Sequence, residues 1–150
     1  MQLGVSDLID GVVKTLTSTF EGCAVYTDAV PQGLKLPCFF VFVTRFKARS
    51  RVSLNGQLER QEVMFDVIYN PKDIASLRTE SPAIVEKLFE VFRTIDLLTG
   101  DMVPVQKREV RYTDEAMIFS MLIPVSVRYP DSDVALMETL ELNTIRVRRE

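Results

Sequence analysis

The sequence predicts an α+β fold: two helices packed on a mostly antiparallel or mixed β-sheet, with a long projecting β-hairpin. Three observations predict it. Apolar residues recur at three- and four-residue spacing in two stretches, Val5 to Phe20 and Ile84 to Ile95. Apolar and polar residues alternate from Thr44 and again from Ala116 to Tyr129. Between the first alternating run and the strand that follows it stands Asn55-Gly56, the strongest two-residue hairpin signal.

The first helix carries Val5, Leu8, Ile9, Val12, Val13, Leu16 and Phe20 on one side and Asp7, Asp10, Lys14 and Ser18 on the other, and Gly22 closes it. A short strand, Ala24-Val25-Tyr26, leads into a loop around Val30-Pro31-Gln32-Gly33. Cys38 to Val43 is apolar on both alternating faces, as in a strand at the centre of a sheet. With Leu54 opposite Gln57, the hairpin pairs Arg45 with Asp66, Arg49 with Glu62, Phe46 with Phe65 and Phe42 with Tyr69, so opposite charges meet on one face and apolar groups on the other. Its tip is mismatched, with Arg51 facing Arg60 and Val52 facing Glu59, and is expected to project beyond the body. Asn70-Pro71 ends the strand. Ser81 as N-cap and Pro82 at the first position open a second helix whose buried stripe is Ile84, Val85, Leu88, Phe92 and Ile95. Thr99-Gly100-Asp101 turns the chain, and Val103 to Thr113 and Ala116 to Tyr129 form a second hairpin around Asp114-Glu115. Met117, Phe119, Met121, Ile123, Val125, Val127 and Tyr129 share the face on which the helices pack.

The chain reads as one domain over residues 1–130 with an extended tail over 131–150. Its 150 residues are 47% hydrophobic, with 18 Lys and Arg against 21 Asp and Glu. A chain of this size buries roughly 70% of its unfolded surface, enough for one core without metals or disulfides. Two cysteines, Cys23 and Cys38, suit a reducing compartment. The acidic N-terminal stretch lacks the basic start of a signal peptide, and the densest apolar run, Pro37 to Val43, is far short of the ~20 residues of a membrane span. The expected place of synthesis is the cytoplasm, with no membrane contact.

Histidine is absent, which excludes a Ser-His-Asp or Cys-His nucleophile and any imidazole zinc site. The six glycines, at 4, 11, 22, 33, 56 and 100, assemble neither a dinucleotide turn nor a P-loop. Asp66, Glu62, Asp114 and Glu115 are each explained by a cross-strand pair or a turn. No catalytic residue, cofactor or metal is expected. The one surface feature with functional content is the row Arg45, Lys47, Arg49 and Arg51, four cations at period two. In the hairpin register above, Asp66 and Glu62 neutralise two of the four and no aromatic residue interleaves with the row on that face to stack bases, so specific nucleic-acid binding is not expected. A subunit-facing hairpin fits better, with Leu54, Asn55 and Arg60 at its tip completing the candidate interface. Ile145 to Arg149 reads either as a disordered end or as a strand for a neighbour's sheet edge.

The runs Val25-Tyr26-Thr27, Val30-Pro31-Gln32-Gly33-Leu34 and Pro37-Cys38-Phe39-Phe40-Val41 resemble the opening signature of the tail terminator, or tail completion, proteins of long-tailed bacteriophages and prophages. The Asn-Gly turn, Phe65-Asp66-Val67-Ile68-Tyr69 before Asn70-Pro71, a helix, two further strands and Met137-Glu138-Thr139-Leu140-Glu141-Leu142-Asn143 follow in the same order, so the resemblance covers nearly the whole chain. The basic end, Arg146 to Arg149, departs from the pattern. The resemblance implies a structural virion protein forming a ring of about six copies by cyclic symmetry on the head-proximal end of the tail tube. Its implied partners are other copies of itself, the major tail tube protein and the head-closure or connector protein. A head-closure or other neck protein is the nearest alternative. A small-molecule-binding domain or carboxylate-based hydrolase is the alternative from another class, and it would need an enclosed polar pocket with convergent carboxylates.

Overall fold

In the computed structural model of the chain, the described residues are 4–27, 33–51 and 58–128. Helix α1 spans Val5–Thr19. At its start the Gly4 N–H donates to Asp7 Oδ2 at 3.0 Å, satisfying a backbone donor that the helix itself leaves orphaned. Leu8, Val12 and Leu16 are fully buried on the face that the spacing predicts. Phe20 caps the last turn and Gly22, with φ +90°, reverses the chain into β1, Ala24–Tyr26.

Strand β2 (Cys38–Arg51) lies parallel to β1 and antiparallel to β3 (Leu58–Asn70). A short 3-10 turn, Ile74–Ser76, opens on the Asp73 carboxylate, which accepts from the Ala75 N–H at 3.1 Å, and runs directly into α2, Leu77–Val91. β4 (Thr94–Asp96) and β5 (Met102–Pro104) form a small separate sheet. β6 (Lys107–Tyr112) turns through Thr113 and Ala116 into β7, Met117–Arg128. The main sheet has the order β1-β2-β3-β7-β6, with only the β1–β2 pair parallel. The α+β class with two helices on a mixed sheet is therefore what the sequence predicts.

One face of the sheet is the core. Phe39 and Val41 of β2, Val63, Phe65, Val67 and Tyr69 of β3, and Met117, Phe119, Met121 and Ile123 of β7 pack with α1, α2 and Ile95. Phe119 sits between Phe89 and Phe92 of the second helical segment, at ring separations of 5.4 and 5.9 Å. Arg108 of β6 lays its guanidinium over the Phe89 ring at 5.2 Å and donates to the Phe89 carbonyl, tying the edge strand to α2.

Five expectations are corrected. The central strand is β3, whereas β2 is second from the edge. The α2 helix begins at Leu77, not at a Ser81 cap: Ser81 is buried, with its hydroxyl 3.1 Å from the Tyr112 hydroxyl, and exposed Pro82 lies inside the helix. The Asp73 turn supplies the start, and Pro82 inside the helix can donate no bond to the Arg78 carbonyl and crowds it with its ring, a cost that the surrounding packing offsets. Ile95 belongs to β4, not to α2, and the stretch from Val103 to Thr113 is split between β5 and β6 in different sheets.

The fifth correction is the β2–β3 register. Near the body Phe42 pairs with Asp66 and Val43 with Phe65; after an irregularity at Thr44, Arg45 pairs with Met64 and Lys47 with Glu62; after another beyond Ala48, Arg51 pairs with Glu59. Each irregularity gives β2 an extra residue, so no single register extrapolated from the turn fits the whole pair. The Thr44 hydroxyl donates to the Met64 carbonyl across the first one. Asn55-Gly56 lies outside the described residues. Nor is this a free two-stranded arm, because β7 pairs with β3 along its length, from Tyr69 with Met117 to Leu58 with Arg128.

Candidate interaction surface

Alternation puts Phe40, Phe42, Arg45 and Lys47 of β2 on the sheet face opposite the helices, with Arg60, Glu62, Met64, Asp66 and Ile68 of β3 and Ile118, Ser120, Leu122 and Pro124 of β7. On that face Tyr26, Phe40 and Phe42 form a ladder, with ring separations of 5.4 and 6.0 Å, the latter pair stacked. Phe42 is 39% exposed. Next to the ladder Asp66 is buried, accepting from the Ser120 hydroxyl at 2.7 Å, and Arg111 of β6 lies 3.6 Å from its other oxygen. This is a structural solution: a hydroxyl and a guanidinium meet both oxygens of a carboxylate on a sheet face.

The expected interface residues separate into groups. Arg45, Lys47 and Arg60 are exposed and share the helix-free face, with Glu62 across from Lys47 and Ser126 across from Arg60. Arg49 lies in β2 within the second irregularity and Arg51 pairs with Glu59, so Arg51 does not stand directly opposite Arg60 as the extrapolated register has it. Leu54 and Asn55 are outside the described residues.

What the sequence reading missed is an edge. Among the described residues, β2 meets β1 only over Cys38–Phe40, so from Val41 to Arg51 no strand lies on the side away from β3. The signal was legible in the lengths: a three-residue strand cannot cover a fourteen-residue neighbour. The lengths also leave β6 short of β7, so among the described residues the far end of the sheet is β2, β3 and β7.

The remaining chemistry is sparse. A groove of about 620 Å³ between the ends of α1 and α2 is lined by Lys14, Ser18, Glu90, Arg93, Asp96 and Met102 among others, with the two carboxylates interspersed with cations. It is not an enclosed pocket of convergent acids. Among the described residues no three His, Cys, Asp or Glu side chains are grouped to hold a metal ion. Burial pushes the thiols of Cys23 and Cys38 up from their ordinary values, with the Glu80 carboxylate adding to the shift at Cys23 and the neighbouring Cys23 adding to it at Cys38, against a hydrogen bond from Asn70 that lowers it. Such thiols are poor nucleophiles. No helix among the described residues is long and apolar enough to cross a membrane.

Residues 7–135 match the family described as phage tail terminator protein. No curated protein matches the chain.

Proposed function

The chain belongs to the phage tail terminator family, a family of structural phage tail proteins, and from that premise we propose that it closes a ring on the head-proximal end of the tail tube. The ring stops tube polymerisation and presents its outer surface to the head-closure protein. The observation that carries this reading is the family match over residues 7–135, which spans both helices and every strand of the fold. The open edge of β2 supports it, because unpaired strand edges are places where copies join, and a head-to-tail contact either closes into a ring or runs on as a filament. A terminator needs closure.

In this reading the protein is a structural part with no catalytic role and no cofactor, made in the host cytoplasm and ending in the virion. Residues 1–130 are the body and 131–150 an extended tail. Arg45, Lys47, Arg49, Arg51, Leu54, Asn55 and Arg60 contact a neighbouring subunit or the tail tube, and the contact is not to DNA. The test is electron microscopy of the protein alone at high concentration and with tail tubes. Rings capping tube ends, and tubes of uncontrolled length when the protein is omitted, are the expected result. A chain that stays monomeric and never associates with tubes overturns it. For the contact residues, Arg49→Glu with Arg51→Glu leaves the monomer folded and impairs assembly; sequence-independent DNA binding abolished by the same changes refutes that part.

A further inference from the structure

We infer that the open edge of β2 receives, as an added strand, the acidic segment Asp131–Asn143 of a second copy of this chain. The inference rests on the reading that copies assemble. It begins with the edge itself: from Val41 to Arg51 the backbone groups of β2 that point away from β3 have no neighbouring strand among the described residues. An uncovered edge of this length is usually blunted, and this one has two of the usual devices, charges and irregular pairing. Register shifts fall between Val43 and Arg45 and between Ala48 and Arg51. Four cations and no acids stand in Thr44 to Arg51, with Arg45 and Lys47 exposed. Such an edge rejects a copy of itself and most neutral strands, and it admits an acidic one.

The same chain contains that strand. Between Asp131 and Asn143 stand Asp131, Asp133, Glu138 and Glu141, with no Lys, Arg, Pro or Gly. It matches the free edge in length, opposes it in charge, and can donate every backbone N–H to a ladder.

Topology decides whose edge it joins. Both β2 and β7 are antiparallel to β3, so β7 ends, at Arg128 opposite Leu58, at the same end of the sheet where the chain passes from β2 to β3. To lie on its own β2 edge the segment would have to pass β3 and β2, three strand spacings or about 14 Å, whereas the stretch from Arg128 to Asp131 reaches only about 11 Å. The segment therefore goes to another copy, whose own segment goes to the next. This contact joins unlike surfaces, the kind that closes into a ring.

The experiment uses charge exchange in the full chain. Arg45→Glu with Arg49→Glu and Arg51→Glu gives a chain with acidic edge and acidic segment; Asp133→Lys with Glu138→Lys and Glu141→Lys gives one with both basic. Each alone is expected to associate about tenfold more weakly than the unaltered chain, by sedimentation and by ring counts on tail tubes, with the deficit shrinking at high salt. Mixed in equal amounts they recover as particles containing both, because every edge then meets a segment of opposite charge. Lys47→Gln, which places no acid across from Glu62, is the milder variant and weakens association by a smaller factor; circular dichroism checks that each variant is folded. Folded variants that assemble as the unaltered chain does, or a mixture that fails to recover, overturn the strand assignment and leave the ring reading standing. An unaltered chain that forms no ring under any of these conditions overturns both.

Discussion

Tyr69 shows how one buried hydroxyl links stability to pH. The side chain is 3% exposed on the core face of β3, and its hydroxyl donates to Glu80 Oε1 at 2.7 Å while the Ser76 hydroxyl donates to Oε2 at 3.3 Å. Burial first, and then the Glu80 carboxylate, push its pKa well above the ordinary value of 10. The neutral phenol is therefore favoured in the folded chain. Its contribution is complete below pH 10 and is lost as pH rises beyond, since the unfolded chain releases the proton first. Replacing Tyr69 by Phe is expected to lower stability at neutral pH by about 1–3 kcal/mol, because Glu80 loses a donor, and to flatten the alkaline limb. Urea unfolding followed from pH 7 to 11 measures both, and an unchanged alkaline limb contradicts the assignment. The thiols obey the same physics. Cys38 is 0% exposed and Cys23 only half-buried, so a disulfide reagent should modify Cys23 first and reach Cys38 on the timescale of unfolding. Equal rates for the two would show that β2 opens where β1 covers it.

At the scale of elements, α1 is held against β4 by the absence of a side chain. A Cβ on Gly11 would come within 2.7 Å of the Asp96 carbonyl oxygen and 2.9 Å of Ile95 Cγ2, backbone and buried side chain that cannot swing aside. Alanine improves helix propensity by up to ~1 kcal/mol, but overpacking of this kind costs about 1–3 kcal/mol. Gly11→Ala is therefore expected to destabilise the fold by up to about 2 kcal/mol, read as a lower urea midpoint with unchanged slope; a gain in stability would mean that α1 shifts freely. This contact also explains what the sequence hides. The 3.6-residue stripe of α1 is legible because one side of the helix faces one core, and the alternation of β7 is legible for the same reason. Ile95 also fits a helical spacing, yet Val91 ends α2 and Ile95 packs beside Gly11 from a strand, a choice made by tertiary contact and invisible in local pattern. The β2–β3 register is hidden by the extra residues in β2, which leave the alternation intact on each side while sliding the pairing. Pro82 misleads because its preference for a first helical position is a tendency, and a turn on Asp73 starts the helix earlier.

For the whole molecule, the core and the joining surfaces occupy different parts of the chain. Among the described residues the buried cluster runs from Leu8 of α1 to Val125 of β7, the last strand described. The candidate interface was half legible for a related reason. The cations of β2 declare themselves by composition, whereas the vacancy beside them exists only in the order of the strands, where β1 stops at Tyr26. If the body folds by itself and the segment after it serves another copy, the two properties separate on truncation. A chain ending at Pro130 is expected to unfold in a single cooperative transition with a midpoint within a few degrees of the full chain, because it keeps every described member of the core cluster. It is also expected to lose self-association and tube capping, since it retains the edge of β2 but has no strand to give. Adding it to the full chain should shorten or block ring growth, because each truncated copy accepts a strand and passes none on. Thermal unfolding by circular dichroism, sedimentation of the mixture and microscopy of capped tubes measure the three effects. Loss of the near-ultraviolet signal on truncation would place the segment within the core of its own copy, and rings formed by the truncated chain would remove it from assembly altogether.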